Sequence, residues 1–209
     1  MPSPSTSPKP AAAKPYHHGN LRAAIVTAAL EVLSREEPSA LSLRDLARTV
    51  GVRHSALYTH FRDRTQLLAV IAGEGFKALL EAMKAAPPST RGRVAGLAET
   101  YVRFARANPS YYRVMFIPEV GRPENNGCIK ASCEGCFDTL MEALQEDSGL
   151  SEPEARERAV GIWSTLHGIV QLGDNSGPLY GQITPDSEVA IASRIAQVLA
   201  RAEWPGGED

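Results

Sequence analysis

Apolar residues recur along most of this chain at spacings of three and four, the period at which an α-helix buries one face. No run alternates strictly between apolar and polar residues, as a half-buried strand would. Clusters such as "REEPSA" and "APPST" interrupt the periodic segments. We therefore predict an all-α fold. The predicted helices cover residues 21–33, 42–50, 53–61, 63–83, 90–107, 109–116, 125–146, 151–172 and 184–201.

Two of these helices are barely two turns long and meet at Gly51. Helices that short are marginal alone, so a larger unit must hold them. Ala47, four residues before Gly51, is small enough to let the next helix cross closely, and the glycine makes the short turn at little cost. This pattern predicts a helix-turn-helix, whose second helix lies in the DNA major groove. A helical hairpin that merely packs is the alternative.

The outer face of the second short helix favours nucleic acid over simple packing. Its side chains are rich in hydrogen-bond donors: Arg53, His54, Ser55, Tyr58, Thr59 and His60. The whole chain has a net charge of −2, but residues 1–64 hold nine Lys and Arg against five Asp and Glu, with four of the five histidines. A basic N-terminal module on an acidic body is the asymmetry expected when one end meets phosphate.

Length and composition narrow the class of protein. The chain has 209 residues, 43% of them hydrophobic and 22% charged, which is ordinary for a soluble globular protein. No apolar run reaches the roughly 18 residues that span a bilayer, and the N-terminus lacks the apolar core of a signal peptide. Three cysteines without framework spacing argue against a secreted disulfide scaffold. We expect a cytoplasmic protein with no membrane partner, no cofactor and no metal.

The stretch "YHHGNLRAAIVTAALEVLSREEPSALSLRDLARTVGVRHSALYTHFRDRTQLLAVIAGEGF", residues 16–76, resembles the DNA-binding domain of the tetracycline-repressor (TetR) family of bacterial regulators. Further on, "YYRVMFIPE" and "WSTLHGIVQL" resemble the ligand domain of a TetR subgroup with a Trp-x-x-x-His-Gly signature. Residues 1–15 are rich in Pro, Ser and Ala with two lysines and have no apolar periodicity, so we predict a disordered basic arm. The resemblance implies a helix-turn-helix domain over 16–64 and a helical effector-binding and dimerisation domain over 65–204.

The resemblance also implies roles for single residues on the DNA-binding side, which their chemistry supports. Tyr58 and His60 would bind phosphate oxygens, which position the protein without reading sequence. Arg64 would add charge at the start of the following helix, and Arg44 is the candidate for a bidentate contact to guanine. Ser55, His54 and Thr59 are candidates for contacts to base edges. Lys14 could follow the DNA backbone or enter the minor groove. Arg53 stands where the family has a small capping residue, and its role in reading bases stays open.

Large apolar residues in the second half suggest an effector pocket. Aromatic and methionine side chains adapt to apolar ligands. The candidates are Phe104, Met115, Phe116, Phe137, Met141 and Trp163, with His167 four residues after Trp163 on the same helix face. Ordinary core packing is the alternative for each of them.

The helices predicted at 154–172 and 186–201 resemble the pair through which the family dimerises, and they carry more apolar residues than two surface helices need. These are Ile162, Leu166, Ile169, Val170, Val189, Ile191, Ile195, Val198 and Leu199. A twofold dimer would place its recognition helices roughly 34–36 Å apart on a pseudo-palindromic operator in double-stranded DNA. The family's usual outcome is repression released by a small-molecule effector, which selects one conformation.

Three functions other than an effector-released repressor fit parts of this sequence. A DNA-binding regulator without an effector would use its C-terminal half only to dimerise or to hold a partner protein. Cys128, Cys133 and Cys136 suggest a redox or metal sensor, although a single Cys-x-x-Cys pair falls short of the four ligands of structural zinc. An enzyme built on His167 is a further alternative, but the chain contains no nucleophile elbow, phosphate loop or metal signature.

Overall fold

The computed structural model describes residues 21–87, 89–122, 126–174 and 183–202, and every regular element within them is helical. The all-α prediction is therefore confirmed. The nine α-helices of the described residues are α1 (Leu21–Leu33), α2 (Leu43–Val50), α3 (His54–Leu57), α4 (Arg64–Lys84), α5 (Arg93–Ala107), α6 (Pro109–Met115), α7 (Asn126–Ser148), α8 (Glu152–Asp174) and α9 (Pro185–Arg201), with a short 3₁₀ turn at Pro38–Ala40.

Side-chain caps fix where three of these helices begin. The backbone N–H groups of Asp45, Gln66 and Ser187 donate to the side chains of Ser42, Asp63 and Thr184 respectively. These bonds satisfy amide groups that the first turn of a helix leaves unpaired. Two hydrogen bonds to the Asp63 carboxylate hold its pKa below the usual value: the larger effect comes from the N–H of Gln66 and the next from the Arg62 side chain. This cap is therefore charged at neutral pH.

The first three helices form a small bundle in front of α4. Ile25, Leu33, Leu46, Leu57 and Phe61 are each 1% exposed or less. Gly51 ends α2 at φ +77°, in the left-handed region that glycine enters without strain, and the chain turns directly into α3. The helix-turn-helix that the sequence predicted is thus present.

Helix α3 is shorter than predicted. The sequence indicated a helix over 53–61, but the helix ends at Leu57, and Tyr58, Thr59 and His60 lie in the turn that follows. The Thr59 hydroxyl donates to the carbonyl of Ala56 at 2.7 Å. The N–H of His60 donates to the carbonyl of Leu57, three residues before it, and not to that of Ala56 as in an α-helix. At the other end Arg53 provides no side-chain cap. A side chain that takes a backbone carbonyl competes with helix propagation.

The 21 residues of α4 span about 30 Å and run from the helix-turn-helix into the second half of the chain, where α4 packs against α6 and α7. Gly75 of α4 allows α6 to come close, since a Cβ there would lie 2.9 Å from the Met115 sulfur. Helix α5 packs mainly on α9, and α8 lies against α7 and α9. Helix α6 therefore touches both halves of the molecule, because it also contacts α1.

A buried ion pair holds the last helix in place. The guanidinium of Arg106 on α5 donates from Nε and Nη2 to the Glu188 carboxylate on α9, both at 2.7 Å, and Nη2 also reaches the Val170 carbonyl on α8 at 3.2 Å. Glu188 is 6% exposed. Arg158 of α8 donates to the carbonyls of Leu199 and Ala200 at the end of α9. Three helices are thus joined by charged groups within an otherwise apolar interior.

Candidate DNA-binding surface and effector clefts

The polar residues predicted to meet DNA form one exposed surface around α2 and α3. Arg44 lies on the first turn of α2, and His54 and Ser55 open α3. These residues are exposed, as are Arg53, Tyr58, Thr59 and His60. Tyr58 is 52% exposed although it is a large aromatic residue, and its ring meets His54 edge-on with centroids 5.0 Å apart. The structure therefore brings seven of the nine candidates together, and we call them the recognition surface.

The two remaining candidates differ from these seven. Arg64 is half-buried, and its Nη1 donates to the carbonyl of Pro38 at 2.7 Å, which ties the start of α4 to the turn before α2. Lys14 lies outside the described residues, with the rest of the predicted arm. Arg64 thus has a structural partner that the sequence did not indicate.

In the described part of the chain, the residues predicted to line one effector pocket are divided between the core and two separate clefts. Phe104, Met115 and Met141 are between 4% and 7% exposed and belong to the core. Phe137 and Trp163 line an open cleft of about 460 Å³ between α7 and α8, which we call the α7–α8 cleft. This separation follows from the helix phases: residues with the same apolar character lie on different sides of α6, α7 and α8.

Phe116 and His167 line a second cleft, of about 630 Å³, which we call the interdomain cleft. Glu37 and Pro38 form the wall on the helix-turn-helix side. The opposite wall comes from α6, the turn after it and α8, with the residues Tyr112, Arg113, Phe116, Ile117, Pro118, His167 and Gln171. This cleft therefore lies between the DNA-binding unit and the larger helical body.

A chain of hydrogen bonds runs from the core to the interdomain cleft. The hydroxyl groups of Tyr101 and Tyr112 are 3.1 Å apart, and that of Tyr112 is 2.7 Å from Nδ1 of His167. Burial raises the pKa of Tyr101 well above its usual value and lowers that of His167, so both groups favour their neutral forms. The His167 ring also packs on Phe116, with centroids 4.3 Å apart.

The sequence analysis did not identify Tyr101 or Tyr112, the two tyrosines of these hydrogen bonds, as site residues. Tyr111 and Tyr112 are adjacent and identical, but Tyr112 is 3% exposed whereas Tyr111 is only partly buried. The available signal was the spacing of Tyr112 with Met115 and Phe116, three and four residues apart, which puts all three on one side of a helix. That spacing cannot show that a hydroxyl group finds a partner on α8.

Cys136 has the environment of a packed core residue, and neither Cys133 nor Cys136 has the lowered pKa of a reactive thiol. Cys136 is buried, its Sγ donates to the Phe76 carbonyl at 3.6 Å, and burial raises its pKa to about 12. Burial also raises the pKa of Cys133, and the side chain of Cys128 lies outside the described part of the chain. Reactive cysteines have lowered pKa values. No group of three metal-binding side chains occurs among the described residues.

The largest exposed apolar side chains of the described residues, apart from Tyr58, all lie on α8 and α9. Val160, Leu172 and Val198 are 54%, 48% and 66% exposed. Ile169, Ile191, Ile195 and Leu199 are half-buried beside them, whereas Ile162, Leu166, Val170 and Val189 are 6% exposed or less and serve the chain's own core. Only part of the apolar set noted in the sequence is therefore available at the surface. None of the described helices combines the length and apolar character needed to cross a membrane.

The helix-turn-helix, with its exposed polar surface and its attached helical body, defines a DNA-binding regulator of two parts. The family model for bacterial regulatory proteins of the tetR family matches residues 25–71, and that for the tetracyclin repressor-like C-terminal domain matches residues 94–201. The chain therefore belongs to the TetR family, and it is a DNA-binding transcriptional regulator.

Similar proteins agree with this assignment. A structure of a protein of unknown function from Rhodococcus sp. RHA1 is 30% identical and superposes with a TM-score of 0.72, covering 88% of this chain and 97% of that one. The transcriptional activator FasR of Mycolicibacterium smegmatis is 27% identical over 145 residues, 68% of this chain and 66% of its own. The uncharacterised transcriptional regulator YobS of Bacillus subtilis is 29% identical over 150 residues, 71% of this chain and 76% of its own. FasR and YobS are named as transcription regulators, not as enzymes.

Proposed function

We propose that this regulator is a homodimeric repressor that binds a pseudo-palindromic operator and leaves it when a small molecule binds the helical body. The observation that carries the proposal is the pairing of two exposed surfaces: a donor-rich recognition surface on α2 and α3, and an apolar face on α8 and α9. One suits phosphate and base edges, and the other suits a second copy of the chain. Its place of work would be the cytoplasm.

Within the recognition surface, the roles proposed for each residue follow from its chemistry. Arg44 would read guanine through two parallel hydrogen bonds. Tyr58 and His60 would bind phosphate, and His54, Ser55 and Thr59 would meet base edges or the backbone. Arg53 and Lys14 would add positive charge along the DNA backbone. Because Nη1 of Arg64 donates to the carbonyl of Pro38, Arg64 would reach phosphate only through its other N–H groups.

The dimer is supported by the space around α8. Gly168 lies on α8, and a Cβ added there would meet no atom of the described residues within 4 Å. This glycine therefore leaves room for a second copy of the chain to approach α8. With Leu172 and Val198 exposed nearby along α8 and α9, the same face repeated by a twofold axis would bury them in an isologous interface.

Release by an effector is supported by the two clefts, whose volumes lie in the range of small-molecule sites. The resemblance of Trp163, His167 and Gly168 to the signature of one TetR subgroup points the same way. Trp163 and His167 are joined through Tyr101 and Tyr112, since the Trp163 and Tyr101 ring centroids are 5.5 Å apart. A ligand in either cleft would contact part of this cluster.

The first experiment is selection of duplexes from a random pool by the purified protein, followed by titration of the selected sequence at two salt concentrations. We expect a palindromic sequence whose affinity falls steeply with salt because bound phosphates release counterions, and loss of binding in Tyr58→Ala. Tyr111→Ala, at a tyrosine outside the recognition surface, is the control. Selection of no sequence above random DNA would contradict the proposal.

The dimer is tested separately by Val198→Glu, which places a charge in the proposed interface. A twofold interface loses two valines at ~1.5 kcal/mol or more each, so we expect the dimer dissociation constant to rise at least about a hundredfold. Gln145→Glu introduces the same charge on the exposed face of α7 and should leave the dimer intact. Sedimentation velocity measures both, and a Val198→Glu dimer as tight as the parent would refute the α8–α9 interface.

A regulator without an effector remains the second candidate, and one observation favours it. Phe104, Met115 and Met141, all predicted to line a pocket, are packed in the core, and both clefts open to the surface. The sign of regulation is a separate question, because FasR is named as an activator. Deletion of the gene distinguishes the two signs: transcription from the selected operator should rise if the protein is a repressor.

A further inference from the structure

The interdomain cleft differs from the α7–α8 cleft in one respect that bears on regulation. Its walls come from both parts of the protein, since Glu37 and Pro38 precede α2 while Arg113 and His167 belong to α6 and α8. A molecule bound there would touch the DNA-binding unit directly. The α7–α8 cleft is lined only by residues of the helical body.

The chemistry of this cleft selects one kind of occupant. Phe116, Ile117 and Pro118 supply apolar surface that suits an apolar body. On the same wall Arg113 offers a guanidinium, and His167, whose Nδ1 meets the Tyr112 hydroxyl, has Nε2 as its remaining ring nitrogen. An anion there would favour the tautomer that carries hydrogen on Nε2, with Tyr112 donating to Nδ1. Guanidinium and N–H groups beside an apolar wall match a carboxylate on a hydrocarbon or aromatic body.

Arg113 also joins the two parts of the protein. It is exposed, and its Nη1 donates at 3.2 Å to the carbonyl of Leu33, the last residue of α1. A carboxylate is a stronger acceptor for a guanidinium than a neutral carbonyl is, so an anionic occupant that takes the Nη1 donor of Arg113 would compete with Leu33 for it. The same anion would lie near the Glu37 carboxylate, the acidic side chain that lines the cleft, and like charges repel.

These observations point to a class of effector and to a way in which it acts. We propose that the interdomain cleft binds a small organic acid whose carboxylate pairs with Arg113, and that this binding loosens the contact between α6 and the end of α1. The regulatory half of this inference rests on the proposed function. Pro38, which accepts a hydrogen bond from Arg64 at the start of α4, would carry the displacement of the α1–α2 connection to the helix behind the recognition surface.

The binding site is tested by calorimetry on the full chain without DNA. The probes are octanoate and phenylbutyrate, each compared with its neutral alcohol. We expect each acid to bind at least about tenfold more tightly than its alcohol, the difference typical of a charge-assisted hydrogen bond. Arg113→Gln should remove this preference, Arg113→Lys should retain part of it, and Arg103→Gln, which removes an exposed charge on α5, should bind like the parent.

Three results would overturn the site: neither acid binds, the alcohols bind as tightly, or Arg113→Gln keeps the preference while remaining folded by circular dichroism. None of these measurements involves DNA. A failure of the site is therefore distinguishable from a failure of the proposed operator binding, which the selection experiment decides.

The coupling is tested with Glu37→Gln on the selected operator. Removal of the like charge should tighten acid binding at least about threefold and, because repulsion then no longer helps to displace the α1–α2 connection, should reduce the release of DNA by the acid. Glu36→Gln makes the same charge change at an exposed neighbour that does not line the cleft, and should behave like the parent. If the parent binds acid but its operator affinity stays constant, the coupling is refuted.

Discussion

At the scale of single residues, the proposed recognition surface would use different side chains to read bases and to hold the DNA backbone. Arg44 lies on the first turn of α2 and is exposed, whereas Arg48 on the same helix is paired with Asp45 at 2.8 Å. Among the residues that the structure describes, Arg44 has no ion-pair partner, so its guanidinium can offer two donors to guanine. Discrimination between sequences is therefore expected to depend on Arg44.

Arg44→Ala should cost about 1–3 kcal/mol of specific binding and relax preference at one base-pair position in each half-site. Removal of a phosphate contact would instead weaken binding to all sequences equally. Arg35→Ala, which removes an exposed charge just after α1, is the matched control. Anisotropy titrations against operators with single base-pair changes measure the effect, and an Arg44→Ala protein that still discriminates at every position would contradict the assignment.

The hydrogen-bonded tyrosines make a prediction about stability. Tyr112 stands between Tyr101 and His167, so Tyr112→Phe removes the partner of both the Tyr101 hydroxyl and His167 Nδ1, whereas Tyr101→Phe leaves Tyr112 bonded to His167. Each orphaned group costs ~1–3 kcal/mol. In urea unfolding we expect Tyr112→Phe to be the less stable variant, and the reverse order would show that the Tyr112–His167 bond contributes little.

His167 gives this region a pH dependence. Its folded pKa lies below the unfolded value because burial disfavours the charged ring. The unfolded chain therefore binds more protons as the pH falls through the usual histidine range, and stability decreases in that direction. His167→Gln should lose part of this decrease between about pH 7 and pH 5, measured by thermal unfolding across that range. An unchanged pH profile would contradict the role of burial.

At the scale of elements, α5, α8 and α9 are held together by a charged pair in an apolar interior. Glu188 receives two hydrogen bonds from Arg106, and Arg106 also reaches the backbone of α8. Removal of one member of such a pair leaves a buried charge uncompensated, which typically costs about 3–5 kcal/mol, while replacement of both by apolar residues costs much less.

We accordingly expect Arg106→Met to lower the free energy of unfolding strongly and the double variant Arg106→Met with Glu188→Leu to recover much of that loss. Urea denaturation at neutral pH measures both. The exposed pair Arg156 and Glu152, at 3.0 Å on one face of α8, provides the comparison, since Arg156→Met should cost no more than about 1 kcal/mol. Similar losses in the buried and exposed pairs would contradict the argument.

At the scale of the whole molecule, the two recognition surfaces of a dimer would be fixed at one separation. Insertion of five base pairs between the half-sites turns one of them to the opposite face of the duplex. We expect such an operator to bind no better than a single half-site, whereas a spacer of the original length and altered sequence should bind like the parent operator. Equal affinity for the lengthened operator would exclude a rigid twofold dimer.

The amino-acid sequence was enough to predict which segments are helical, where several of them begin, and where the chain turns between α2 and α3. These features depend on local chemistry: Ser42, Asp63 and Thr184 cap the helices that follow them, and Gly51 takes a left-handed conformation. Most of the recognition surface was predictable for the same reason, because its residues are close together in the chain. The end of α3 was not, because the apolar spacing continues to Phe61, which is buried although it lies beyond the helix.

Only the tertiary structure decided where the effector candidates lie. Phe116 and Phe137 look alike in the sequence, yet one lines the interdomain cleft and the other the α7–α8 cleft, because helix phase and packing set the direction of each side chain. The partners of Tyr112, Arg113 and Arg64 are likewise remote, since the bonded positions are 55, 80 and 26 residues apart in the chain. Contacts between distant segments form only when helices pack against one another, so the spacing of residues along the chain does not predict them.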